Sequence, residues 1–170
     1  MRQLIPLLLF CLPVLAGCDD TISGSTVEYR HKELHTLLAA SPRTIPVVFQ
    51  ASPGDNVDTY ILQSLAEQAD VSGLSGLRFN LSSPRPLGDL TVEVAYQPHR
   101  ERTGISLCQQ KPIGGHENSQ KTVVLAIALC RDGRRLSSVR GSESLPGDTE
   151  GNAEAITALI DRLTEALLGG

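Results

Sequence analysis

Four groups of residues in this chain have types and spacings that could carry chemistry. His31-Lys32-Glu33-Leu34-His35 sets two imidazoles at i and i+4, the spacing at which one helix face can present both to a metal ion. Glu33 follows the first histidine by two positions, so it misses the general-base place of a His-Glu-x-x-His motif, and no third ligand is at hand. A charged, exposed helix accounts for the pair equally well. Gly114-Gly115-His116 lacks the strand-to-helix setting a phosphate cradle needs. Arg131, Arg134, Arg135 and Arg140 gather around Asp132-Gly133, where they suit an anionic partner or a lipid headgroup. Solvated strand-edge charges that discourage aggregation are the commoner reason for such a cluster. No Gly-x-Ser-x-Gly elbow marks a nucleophile. The chain therefore reads as a non-enzyme, with no catalytic residue, metal ligand or cofactor assigned.

The fourth group is the cysteines, and the N-terminus decides how they are read. Met1-Arg2-Gln3 is a short positive segment, followed by an apolar run from Leu4 to Leu15. That length suits a secretory signal and falls short of the roughly 20 residues a spanning helix requires. Pro6 and Pro13 further weaken a stable membrane helix. The run ends Leu15-Ala16-Gly17-Cys18, an apolar residue, two small ones and a cysteine. This order resembles the lipobox of bacterial lipoproteins. The resemblance implies removal of residues 1–17, diacylglycerol on Cys18 Sγ, acylation of the new amino group, and a membrane anchor on the periplasmic side. Two or three acyl chains hold firmly, since each buried CH₂ contributes about 0.8 kcal/mol. Asp19 and Asp20 resemble the enterobacterial signal for retention in the inner membrane, with the outer membrane as the other destination.

Cys11 leaves with the signal and Cys18 is acylated, so Cys108 and Cys130 remain as an even pair in an oxidising compartment. A structural disulfide is expected. A redox or metal pair would call for a Cys-x-x-Cys motif or further ligands. Closing a loop of about 23 residues contributes roughly 3 kcal/mol in the chain-entropy account.

Composition narrows the partners. The formal charge is −4, becoming more negative once Arg2 is removed, and no Lys/Arg block argues for nucleic acid. Hydrophobic residues make up 41%, enough for a core. With three Phe, three Tyr and no Trp that core is aliphatic, and platforms for stacking bases or sugars are lacking.

The elements divide the chain into a signal peptide (1–17), a lipidated N-terminus and tether (18–26) and one domain (27–170). Ser25-x-x-Glu28 looks like a capping box opening a helix to Ala40. A strand is predicted at 45–49 and an amphipathic helix from Asp55, its N-cap, to Ala69, with Val57, Ile61, Leu62 and Leu65 on one face. Strands follow at 77–81 and 90–96, where apolar and polar residues alternate, and a shorter one at Ile105 to Cys108. Thr122 to Cys130 is apolar on both parities, the pattern of a central strand covered on both faces. Asp132-Gly133 is a hairpin turn leading to a strand through Val139. Asn152 caps a final helix with Ile156, Leu159, Ile160, Leu163 and Leu167 in a stripe. These add up to an α+β, two-layer domain, an antiparallel-rich sheet with helices packed on one face.

From about residue 45 to 168 this layout is similar to that of envelope accessory lipoproteins, namely auxiliary lipoproteins of lipid-trafficking ABC transporters and lipopolysaccharide-assembly lipoproteins. The resemblance implies a membrane-anchored accessory or scaffolding lipoprotein of an envelope transport or secretion complex, acting on a protein partner or as a homo-oligomer. The alternative is a periplasmic binding module for a lipid or small amphiphile.

Overall fold

A computed structural model of the chain describes residues 23–26, 31–41, 43–50, 56–82, 90–98, 103–110 and 121–168. The signal, Cys18, the expected cap at Asp55 and the Gly114-Gly115-His116 loop lie outside them. Six strands, β1 (Ser23–Thr26), β2 (Thr44–Phe49), β3 (Arg78–Leu81), β4 (Leu90–Tyr96), β5 (Thr122–Arg131) and β6 (Arg134–Ser144), form one sheet in the order β1-β6-β5-β4-β2-β3. The β1-β6, β6-β5 and β5-β4 pairs are antiparallel; β2 runs parallel to both β4 and β3. The helices among the described residues are α1 (His31–Ala39), α2 (Val57–Val71), α3 (Gly104–Cys108) and α4 (Thr149–Leu168). The fold is the α+β arrangement expected.

Period-two alternation explains the layers. Val123, Leu125, Ile127 and Leu129 of β5, with Leu90, Val92 and Val94 of β4 and Ile45 and Val47 of β2, face the main core. Over them lie Leu34 and Leu38 of α1, Ile61 and Leu65 of α2, and Leu159, Ile160, Leu163 and Leu167 of α4. Helix α4 packs on β5 and β6, while α2 packs on α4 and β3. The approach of α4 to β6 depends on Gly141: a Cβ there would lie 3.0 Å from Leu159 Cδ1 and 3.1 Å from Leu163 Cδ2.

Between α2 and α4 sits a polar contact. Ser64 Oγ donates to Asp161 Oδ1 at 2.7 Å and lies 2.7 Å from Thr164 Oγ1. The Thr164 hydroxyl is also within reach of the Ile160 carbonyl at 3.0 Å, so neither buried hydroxyl lacks a partner.

Local chemistry sets the element ends, in places against expectation. Asp132 (φ 51°) and Gly133 (φ 74°) both take the left-handed region that a tight two-residue hairpin demands, and the turn joins β5 to β6. Helix α4 begins at Thr149, before the cap expected at Asn152, because Asp148 Oδ1 takes the Gly151 N–H at 2.7 Å. Asn152 Oδ1 instead takes the N–H of Gly147 at 3.0 Å. Helix α2 starts after Asn56, itself left-handed at φ 63° and making no side-chain cap bond. Residues 23–26, expected in the tether, are β1, registered Ser23↔Arg140 through Thr26↔Ser137. Ser25 is thus in a strand and does not cap α1, which begins at His31.

Candidate functional site

The even-numbered residues of β5 point to the opposite side of the sheet, where they build a second, smaller cluster. Ala126, Ala128 and Cys130 join Ala95 of β4 and Leu107 and Cys108 of α3. Small residues on the strands leave room for a helix to sit close. Residues 105–108, expected as a strand, are that helix. The alternation that suggested a strand is too short to exclude one helical turn. Thr103 decides the outcome as N-cap: its Oγ1 accepts the Ser106 N–H at 3.3 Å, and Ser106 Oγ donates to the Thr103 carbonyl at 2.8 Å. Gly104 is required for the approach, because a Cβ there would collide with Ser138 Oγ and Cβ and with the Arg135 side chain.

Cys108 and Cys130 are bonded as a disulfide with their Cα atoms 5.4 Å apart, and both are fully buried. The bond ties α3 to β5. Beside it, on the same face of β4, Glu93 is completely enclosed. Gln50, just past β2, bridges the two: its Nε2 donates to Glu93 Oε2 at 3.1 Å and to the Leu107 carbonyl at 2.8 Å. Among the described residues, Gln50 Oε1 and Thr91 Oγ1 are buried nearby with no hydrogen-bond partner. A carboxyl, an amide and a disulfide are therefore gathered under a five-residue helix. Glu93 and the disulfide are fully buried and Gln50 is half-buried beside them, and together they fasten the second face.

Sequence reasoning singled out the two cysteines and missed Glu93 and Gln50. Within 90–96 the polar positions Thr91 and Glu93 read as a solvent face; in the fold α3 lies over that side of the sheet. The signal available was the tie between Cys108 and Cys130, which brings residues 104–108 across β5.

The other candidates do not converge. His35 is half-buried on α1, and no group of three His, Cys, Asp or Glu among the described residues is placed to hold a metal. The side chain of His31, His116 and the lipidation residue Cys18 lie outside the described residues. Arg131 and Arg134 are exposed and directly opposite one another at the hairpin. Arg135 Nη1 lies 3.5 Å from Ser138 Oγ, and Arg140 Nη2 donates to the Pro98 carbonyl at 3.2 Å. Among the described residues no helix is long and apolar enough to cross a membrane.

No protein-family model matches the chain, and no curated protein matches it in sequence. Solved structures similar to this chain include two of PelC. A dodecamer of a PelC point variant from Paraburkholderia phytofirmans is 14% identical, with 87% of this chain and 96% of that one covered and a TM-score of 0.47. A second crystal form of the PelC dodecamer from the same organism is 13% identical, covering 87% and 97%, with a TM-score of 0.45. Likeness at this level transfers no residue and no activity.

Proposed function

We propose that this chain is a membrane-anchored accessory lipoprotein of a bacterial envelope transport or secretion complex, facing the periplasm and acting by protein–protein contact without catalysis. The observation that carries the reading is the run Leu15-Ala16-Gly17-Cys18 behind a positive start and an apolar core. The buried Cys108–Cys130 bond supports it, since such bonds form and persist outside the reducing cytosol. The sheet is compatible with it: among the described residues it ends on β1 and β3, the edges to which a partner strand or a second copy would add. Asp19 and Asp20 favour the inner membrane as the anchoring site.

The test has two stages. Metabolic labelling with palmitate should mark the protein, and Cys18→Ser should abolish both the label and membrane fractionation. Mild crosslinking of intact membranes should then trap a larger species. An unlabelled protein whose Cys18→Ser form is processed and fractionated unchanged rejects the anchor. A labelled protein found only as a monomer rejects the accessory role. A bound lipid in native mass spectra of that monomer would replace the accessory role with ligand binding.

A further inference from the structure

The sheet has two chemically distinct ends, and its register identifies them. Arg131 of β5 pairs with Arg134 of β6 and with Leu90 of β4; Thr44, which follows Arg43, pairs with Arg78. Because β2 and β4 run parallel in the register Val47↔Val92, all these residues lie at one end of the sheet. Arg43, Arg78, Arg131 and Arg134 are exposed there, and Arg135 is half-exposed beside them. Of the seven arginines among the described residues, only Arg140 and Arg162 lie elsewhere. From β6 to β3 there are four strand spacings, so the row extends about 19 Å.

Two features set this row apart from incidental surface charge. Arg131 and Arg134 are a directly opposed cross-strand pair of like charge, an arrangement that destabilises a hairpin. Arg131 is not guarding an edge, since β5 has a neighbour on each side. Among the described residues, Asp132 in the turn and Asp70 in the last turn of α2 are the acidic residues that the chain order places beside these five arginines, in a chain of net charge −4. All five cations are arginines, whose planar fork matches a carboxylate in two hydrogen bonds.

The same register gives the row its direction. Ser23 pairs with Arg140 and Thr26 with Ser137, so the chain enters β1 from the Ser144 end of β6, opposite the arginines. Cys18 lies five positions before Ser23, a reach of at most about 18 Å. Cys18 is therefore joined to β1 through the end of that strand farther from the arginines.

We propose that the arginine-bearing end of the sheet, Arg131 and Arg134 at its centre, binds an acidic segment of a partner polypeptide. This rests on the accessory reading above for its setting, though the row itself does not depend on the lipid. The test uses the full-length protein extracted from membranes in nonionic detergent and a fluorescent dodecapeptide of alternating Glu and Ser. Anisotropy should show binding at about 50 mM salt that weakens steeply by about 300 mM. Arg131→Glu with Arg134→Glu should weaken it by at least about tenfold, and the paired Gln substitutions by an intermediate factor. Lys121→Glu, at the opposite end, should change it less than about twofold. Circular dichroism should be the same for every variant.

Absence of peptide binding by the native protein, or equal binding by the Arg131→Glu, Arg134→Glu variant, overturns the proposal. So does the outcome in which only vesicles of mixed neutral and anionic phospholipid are bound and the variant loses that binding, which would make the row a membrane contact. Peptide binding that persists in a protein carrying no palmitate would leave the arginine site standing and remove the anchored role around it.

Discussion

Removing the disulfide should loosen the second face of the sheet while leaving the first intact. The perturbation is Cys108→Ala with Cys130→Ala. Both sulfurs are fully buried, so serine would strand two hydroxyls and confound the result. The cysteines are 22 residues apart, and closing a loop of that size restrains the unfolded chain by about 3 kcal/mol. A domain of this length has roughly 5–15 kcal/mol in total, and each kcal/mol moves Tm by about 2–4 °C. The variant should therefore melt roughly 6–12 °C below the native protein. Thermal unfolding followed by far-UV circular dichroism reads this directly, and the native protein in excess reductant should coincide with the variant. Helix α3 has five residues, too few to persist on local hydrogen bonds alone. Amide exchange should accordingly rise at Leu107 to Gln109 and stay slow at Leu125 to Leu129 of β5. A melting point within about 2 °C of native, or uniform loss of protection in both layers, would refute the argument that the bond specifically fastens α3.

Two substitutions probe the contacts around it, and a third probes the contact between α2 and α4. Gly104→Ala drives a Cβ into Ser138 and Arg135 and should destabilise the domain by about 1–3 kcal/mol, measured as a lower urea midpoint at unchanged slope; a neutral result would mean that α3 can shift freely. Gln50→Ala withdraws one amide from both Glu93 and the Leu107 carbonyl and should lower stability by about 1–3 kcal/mol in the same assay, with no loss if water takes over both bonds. Ser64→Ala breaks the contact between α2 and α4 and should cost about 1 kcal/mol, and a double-mutant cycle with Thr164→Val should show coupling because the hydroxyls touch.

The main layer was legible because its signals are redundant. On α4 the stripe of Ile156, Leu159, Ile160, Leu163 and Leu167 recurs over three turns, and on β5 the eight residues Val123 to Cys130 are apolar on both parities. Each pattern is long enough for its period to be unmistakable. The second layer was not legible, for the opposite reason. Ile105 to Cys108 spans a single helical turn, and over four residues a strand and a helix differ by one apolar position. Only the Thr103 cap distinguishes them, and a lone threonine before an apolar residue is a weak local mark. Glu93 was misread because alternation reports which residues share a side, not whether that side meets water. Residues 23–26 carry no apolar pattern, and a backbone ladder pairs them with Arg140 to Ser137. A strand held that way leaves almost no trace in side-chain types.

The two halves of the molecule also differ in what holds them together. The main core buries aliphatic side chains from three helices and four strands, a contribution that scales with area and needs no particular chemical environment. The second face buries little apolar surface: three alanines, one leucine and the two bonded cysteines, beside an enclosed glutamate. Enclosing a carboxyl opposes folding unless its partners stay in place, and the donor on Gln50 stays in place only while Leu107 does. A thiol pair on Cys108 and Cys130 would leave α3 to be held by Leu107 and by the Thr103 cap alone. The completeness of the second face is thus conditional on oxidation in a way the first is not. If Glu93→Leu were introduced, the enclosed carboxyl would no longer oppose burial, and reduction should then lower stability by less than it does in the native protein. Equal losses on reduction in the two proteins would show that the disulfide and Glu93 act independently.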